Sequence, residues 1–373
     1  MRTADWALRV SRLDDLHDAL NLEGSTAWHS IAQEARPFLL AAAYLKNPRK
    51  VLIVAANYER ALAWQAKLAI SGVSPSSICQ LPSGSSALFE DSTPEHIALS
   101  DRLGALRALT EDKPWIVVTS PQAALERTLP KEVLEAAFIR LAPGQEIDPD
   151  DLLRRLVDLG YEHQEPVRIP GQFSRRGGIL DIYATGQELP IRIELFGDEI
   201  ESIRKFDPNT QRSIGAIKEL NLTPSRETLY SGESDFRDML LRSVEVEAPQ
   251  LEEEAAARLD ETVREDAEAL LEKIYFDRLD LYRPLLHPDS GCAIDLLRET
   301  DLLVLDEPLE LETIATRSEE ELGHALQGRA ERGEILKSLA TDFVLPPEHL
   351  SNHPTTLALT SMNARPEWLA LNR

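Results

Sequence analysis

The sequence predicts an α/β protein, a parallel-sheet domain interrupted by a small β-rich α+β module and by a helical insertion. Three observations carry that reading. Apolar runs without strict alternation, VLIVAA at 51–56 and WIVVTS at 115–120, are separated by helix-like segments, the pattern of strands covered on both faces. Between 171 and 207 the pattern changes to short alternating runs, ILDIYA at 179–184 and IRIELF at 191–196, joined by the turn-rich TGQELP. That is a hairpin signature. From 246 to 281, Leu251, Ala255, Leu259, Val263, Ala267, Leu270 and Ile274 then recur at helical spacing, with Glu and Asp on the other face.

The elements follow in order. Residues 1–20 suggest a short helix with Leu8, Val10, Leu13 and Leu16 on it. After the strand at 51–56 come a helix through Leu62 and Leu68, a short strand near 77–82, a helix around 94–109 begun near Ser92 or Thr93, and the strand at 115–120. FIRLAPG reads as a strand, and the amphipathic DPDDLLRRLVDLGY as a helix capped by Asp148 and stopped by Gly160. Beyond the hairpin, EIESIRKFD and AIKELNLTP add strand signals. LLVLDEP at 302–308 reads as a buried strand ending in two carboxylates, and TTLALTS at 355–361 as another strand that can rejoin the first sheet. The implied division is a discontinuous α/β domain, 1–145 with about 290–373, around a β-rich module at 146–225 and a mainly helical insertion at 226–289.

Composition narrows the class. With 373 residues, 43% hydrophobic and 28% charged, the chain can bury substantial cores. Forty Lys and Arg against sixty-four Asp and Glu give a formal charge of −24, which repels nucleic acid over most of the surface and favours a protein partner instead. Cys79 and Cys292 lie too far apart to form a metal-ligand spacing, so no metal is expected and reduced thiols in a cytoplasmic protein are the default. The first residues lack a signal-peptide core, and no apolar run reaches the length of a membrane span.

A parallel sheet invites a search for a nucleotide site in the loop before the first helix. Gly24, Ser25 and Thr26 give a partial turn there, but Ala27, Trp28, His29 and Ser30 follow, and no GK[ST] occurs anywhere. Without the Lys that offsets phosphate charge, the loop reads as structural. Asp306 and Glu307 have the form of an acidic pair that would hold magnesium, and without that Lys they read as a remnant. Ser86, Asp91 and His96 can be grouped as a hydrolase set, but no G-x-S-x-G elbow is present and their spacing fits helix capping better.

The hairpin offers more. Within 191–196 the period of two sets Ile191, Ile193 and Leu195 on one face and Arg192, Glu194 and Phe196 on the other. An aromatic beside charges, with Arg175 and Arg176 just upstream, has the composition of a protein-binding hot spot. A strand covered on both faces is the alternative.

These residues carry a resemblance. The block at 167–226, with SRRGGILDIYA and PIRIELFGDEIESIRKFD, resembles the domain shared by the nucleotide-excision-repair protein UvrB and the N-terminal part of the transcription-repair coupling factors (Mfd). LPSGSSALFEDSTPEHIALSDRLGAL at 81–106 is similar to the coupling-factor counterpart. The resemblance implies a degenerate RecA- or helicase-like sheet domain of UvrB type and a module that binds UvrA, the damage-scanning ATPase. By motif position Arg176, Arg192 and Phe196 match contact residues, with Glu194 and Arg175 as further candidates. An active UvrB-like helicase would carry an intact phosphate loop and a tyrosine-rich hairpin, yet 81–102 contains no Tyr, which favours the coupling factors. It further implies no enzyme activity and no cofactor for this chain, with ATP, magnesium, DNA and RNA polymerase engaged only by a C-terminal part beyond Arg373. The chain is then expected to be an N-terminal fragment, with a naturally short relative as the alternative. A nucleotide-dependent DNA enzyme, or a clamp masking its own UvrA face, are the competing functions.

Overall fold

The computed structural model describes residues 24–84, 96–230, 234–272 and 274–361. The expected helix at 1–20 and the cap near Ser92 lie outside these residues, as do Ser86, Asp91 and the side chain of His96.

The apolar runs form a six-stranded sheet in the order β1-β14-β13-β2-β4-β3, every neighbouring pair parallel. Its strands are β1 (Thr26–Trp28), β2 (Val51–Val54), β3 (Ile78–Leu81), β4 (Ile116–Thr119), β13 (Leu302–Asp306) and β14 (Thr356–Leu359). Every residue of β2, β4, β13 and β14 is buried, which is why these runs show no alternation. Helices α1 (Arg36–Lys46), α2 (Tyr58–Ile70) and α3 (His96–Thr110) belong to this unit. The Asn57 side chain caps α2 by accepting from the Arg60 N–H at 2.9 Å. Since β13 lies between β14 and β2, the sheet is completed only after the chain has run from 120 to 301, so the sheet unit is discontinuous in sequence.

The alternating runs form a second six-stranded sheet, β11-β10-β9-β8-β7-β6. It consists of β6 (Glu162–His163), β7 (Gln172–Arg176), β8 (Ile179–Tyr183), β9 (Ile191–Phe196), β10 (Glu199–Phe206) and β11 (Ser213–Ala216). β5 (Ile139–Leu141) pairs with β12 (Leu220–Leu222), joining the start of this block to its end. The expected boundary at 145 and 146 therefore cuts between two paired strands. Asp148 caps α4 (Pro149–Asp158) by accepting from the N–H groups of Asp150 and Asp151, and Gly160, at φ +81°, stops it. A Cβ on Gly160 would stand 2.6 Å from the Arg226 side chain, so the position requires glycine twice over. Leu180, Ile182, Ile191, Ile193, Ile200 and Ile203 on one face of this sheet join the same continuous core as Leu52, Val54 and Val117 of the parallel sheet.

The helical insertion departs from the single long helix expected over 246–281. Two helices form, α5 (Ser234–Glu247) and α6 (Glu253–Leu271), broken by a 3-10 turn at Ala248–Gln250. Pro249 explains the break, because it lacks the N–H that an uninterrupted helix requires there. Leu259, Val263, Ala267 and Leu270 pack inward as expected, whereas Ile274 lies beyond the helix and is exposed. Glu307 precedes α7 (Pro308–Glu331) with a left-handed backbone at φ +69°. Among the described residues no helix is long and apolar enough to cross a membrane.

Candidate functional site

Two places in this fold collect the residues that the sequence singles out: the carboxyl ends of the parallel strands, and the outer face of the β-rich module.

At the carboxyl ends, register decides what meets. Trp28 and Asp306 both pair with Leu359, while Thr26 pairs with Leu357, two residues further back along the strands. Gly24, Ser25 and Thr26 are therefore not brought to the carboxylates: Thr26 is already inside β1, and the loop that faces Asp306 is 29–35. The expected grouping of Gly24, Ser25 and Thr26 with Asp306 and Glu307 as one degenerate site is corrected on this point, the cause being the strand pairing of Thr26 with β14. What does reach the acidic pair is Arg36, the first residue of α1. Its guanidinium bonds to Asp306, donates to Glu307 Oε1 at 2.6 Å and to Ser361 Oγ at 2.9 Å, and reaches the Ile31 carbonyl from Nε at 3.1 Å. Asp306 also accepts from Arg60 Nε at 2.9 Å and from the Trp64 indole at 2.8 Å. Arg36 and Asp306 are both buried.

Sequence reasoning looked for a Lys before the helix and missed the Arg that opens it. The available signal was an Arg next to a Pro at a helix start, with the acidic pair Asp306 and Glu307 at a strand end awaiting a cation. A magnesium nucleotide does not fit this constellation: its metal position is taken up by a guanidinium that already satisfies both carboxylates, and the preceding loop has no glycine backbone for a phosphate to approach. Burial pushes the Glu307 pKa upward, but bonds from Ser361 and Arg36 outweigh it and leave this carboxyl below its ordinary value.

The β-rich module presents the second place. Antiparallel pairing of β8 with β9 sets Asp181 opposite Arg192 and Ile179 opposite Glu194, and β9 with β10 sets Glu194 opposite Ser202 and Phe196 opposite Glu199. On β7, Arg176 pairs with Ile179 and Ser174 with Asp181. One outer face thus carries Arg176, Ile179, Glu194 and Ser202 in one cross-strand row and Ser174, Asp181, Arg192 and Arg204 in the next. Phe196 stands at the tip, 80% exposed, beside Gly197, whose φ of +62° makes the turn into β10.

The residues on this face differ in what they are free to do. Arg192 is held: it grips Asp181 with both arms, at 2.7 and 2.8 Å, reaches the Gln211 carbonyl at 3.2 Å, and lies 4.5 Å from the centre of the Phe206 ring. Donating to the Asp181 carboxylate raises its pKa above the ordinary guanidinium value. Glu194 accepts from Ser202 Oγ at 2.6 Å and lies 3.5 Å from Arg204, so it has partners within the sheet. Arg176 is half-exposed and only loosely paired, 3.4 Å from Glu165 and 3.9 Å from Asp181. Phe196 and Ile179 are the exposed apolar groups of the patch.

Arg175 does not belong to this face. It pairs with Leu180, on the core-facing parity of β8, and its guanidinium turns to Asp150 at the start of α4 and to the Gly177 carbonyl at 3.2 Å. The reason is the period of two: adjacent residues of one strand point to opposite sides, so Arg175 and Arg176 cannot both join Phe196.

Residues 139–227 match the family profile described as the UvrB interaction domain, a span that runs from β5 through β12 and contains the whole outer face. The chain is 33% identical over 271 residues to the transcription-repair-coupling factor of Myxococcus xanthus, covering 69% of this chain and 22% of that protein. The chain is a homologue of the transcription-repair-coupling factors. The Bacillus subtilis coupling factor is 33% identical over 251 residues, 65% of this chain and 21% of its own length. The coupling factor of Staphylococcus haemolyticus is 28% identical over 308 residues, 80% of this chain and 25% of its own length. The chain thus spans about a quarter of the length of these coupling factors.

Proposed function

We propose that this chain is the non-catalytic, UvrB-like N-terminal region of a cytoplasmic transcription-repair coupling factor, and that the outer face of its β-rich module binds UvrA to recruit nucleotide-excision repair to stalled transcription. The observation that carries the proposal is the composition of that face inside the matched span 139–227: an exposed aromatic at a hairpin tip, a loosely paired Arg176, and a rigid polar floor of Asp181, Arg192, Glu194 and Ser202. An exposed aromatic anchor at the edge of a hydrogen-bonded polar floor suits a specific polar interface. Phe196 and Arg176 act as direct contacts, Arg192 shapes the floor between them, and Arg175 has no part in the contact.

The parallel sheet serves as a scaffold that needs neither nucleotide nor metal at Asp306 and Glu307, in line with the guanidinium already lodged there. ATP, magnesium, DNA and RNA polymerase would be engaged by other parts of the coupling factor. The test is a titration of UvrA with the chain and its Phe196→Ala and Arg175→Ala variants. The first should weaken binding and the second should leave it unchanged; equal loss from both would overturn the assignment of faces.

A further inference from the structure

A cluster of metal-ligating side chains stands apart from both places described above. The chain leaves the helical insertion through residues 290–296 and reaches β14 through the 3-10 turn at Pro347–Ser351. These segments bring together Cys292, Asp295 and His349, whose ligand atoms all lie within 4.8 Å of one another. Asp295 sits at the centre. One oxygen contacts His349 Nε2 at 2.8 Å, and the other accepts from the Cys292 backbone N–H at 2.8 Å. Gly291 makes room for this carboxylate, since a Cβ there would stand 2.6 Å from Asp295 Oδ2. The thiol is fully buried, the carboxylate is exposed, and the imidazole lies between these extremes. One side of the triad therefore faces the core and the other faces water.

We propose that Cys292, Asp295 and His349 form a binding site for a divalent cation of the zinc class, with a fourth position open to solvent. One sulfur, one nitrogen and one oxygen are the donor types that zinc takes. Bonds of ~2.1 Å to nitrogen and oxygen and ~2.3 Å to sulfur, at tetrahedral angles, set donors about 3.5 Å apart. The observed triad reaches that spacing by small side-chain rotations: the 2.8 Å contact between Asp295 and His349 opens, and Cys292 closes in. On binding, the thiol gives its proton to solvent and the thiolate becomes the ligand, so affinity rises with pH. The role is structural: the metal ties the segment that enters β13 to the one that enters β14, fixing the two adjacent interior strands supplied by the late part of the chain. Sequence spacing could not suggest the site, because His349 follows Asp295 by 54 residues.

The test uses the full chain, stripped with chelator and then titrated with cobalt(II), and with zinc in competition with a chromophoric chelator. The wild type should bind one equivalent and show a thiolate-to-cobalt charge-transfer band. The Cys292→Ser variant should lose the band, and His349→Ala should bind at least roughly tenfold more weakly. Cys79→Ser, which changes the other thiol, should retain both band and affinity. His349→Ala alters a surface-accessible side chain, so it keeps the test decisive where Cys292→Ser fails to fold. No stoichiometric binding, or binding unchanged in both ligand variants, would overturn the proposal.

Discussion

Phe196→Ala separates recognition from folding most cleanly. A Phe side chain can bury about 150–250 Å². With 80% of the residue exposed in the free chain, roughly 120–200 Å² remains to be covered by a partner. At ~25 cal/mol per Å² the ceiling is about 3–5 kcal/mol, and ordering of the hairpin tip and incomplete coverage reduce it to ~2 kcal/mol, a weakening of UvrA binding by roughly 30-fold. The free chain should hardly notice the change. Phe196 pairs only with Glu199, beyond the last β8–β9 pair at Ile179 and Glu194, so its loss opens no cavity and shifts stability by less than about 0.5 kcal/mol. Calorimetric titration against UvrA together with thermal melts of both proteins measures the two halves. Affinity within twofold of wild type would refute the hot-spot reading, and a lowered melting temperature would refute the claim that the ring is free.

Arg192→Ala should behave differently: it strips both hydrogen bonds from the buried Asp181 and should cost ~3 kcal/mol in chemical denaturation, besides weakening UvrA binding, while Arg192→Lys should recover only part of either loss. Arg36→Ala should lower stability by ~2 kcal/mol without creating nucleotide affinity, since Asp306 is left with Arg60 and Trp64 alone, Glu307 loses the guanidinium and no phosphate loop appears; a melting-temperature rise with magnesium ATP in this variant would count against the packing role of the acidic pair. Gly178→Ala would put a Cβ 2.8 Å from the Leu195 carbonyl oxygen, so it should destabilise the β8–β9 hairpin by ~1–2 kcal/mol and raise hydrogen exchange there. Acid should unfold the chain in a defined window. Bonds from Arg36 and Ser361 hold Glu307 below its ordinary pKa, and the Arg283 guanidinium overrides burial to do the same for Asp280. Their contribution is complete above the unfolded value near 4 and is lost as pH falls through the depressed folded values, so stability should drop below about pH 4 and Glu307→Gln should shallow that drop.

Much of this architecture is written in local patterns. Unalternated apolar runs announced the buried parallel strands, and the strict alternation of IRIELF placed Arg192, Glu194 and Phe196 together before any pairing was known. The same rule, applied one strand earlier, already sets Arg175 and Arg176 on opposite sides; what concealed it was the motif, which presents them as a pair. Other features depend on partners remote in sequence. Arg36 meets Asp306 across 270 residues, and only the register of β1 and β13 on β14 shows that the loop 29–35, and not Gly24 to Thr26, faces the carboxylates. The break at Pro249 was visible in composition, and it falls just ahead of the apolar repeat, which begins only at Leu251.

The two places differ in how far their polar groups satisfy one another. At the carboxyl ends of the parallel strands the acidic charge is neutralised from within: Asp306 takes hydrogen bonds from Arg36, Arg60 and Trp64 and is packed among them. On the outer face of the module the internal partners stop short of the edge. Asp181, Arg192, Glu194 and Ser202 satisfy one another and leave Phe196 with no cover among the described residues and Arg176 with only long contacts. A buried polar group without a partner is costly, whereas an exposed Phe and a half-exposed Arg cost the free chain little and contribute only when a second surface covers them. On the proposed UvrA contact, binding lies where the network ends, so mutations within the floor should change stability and affinity together, and mutations at Phe196 and Arg176 affinity alone.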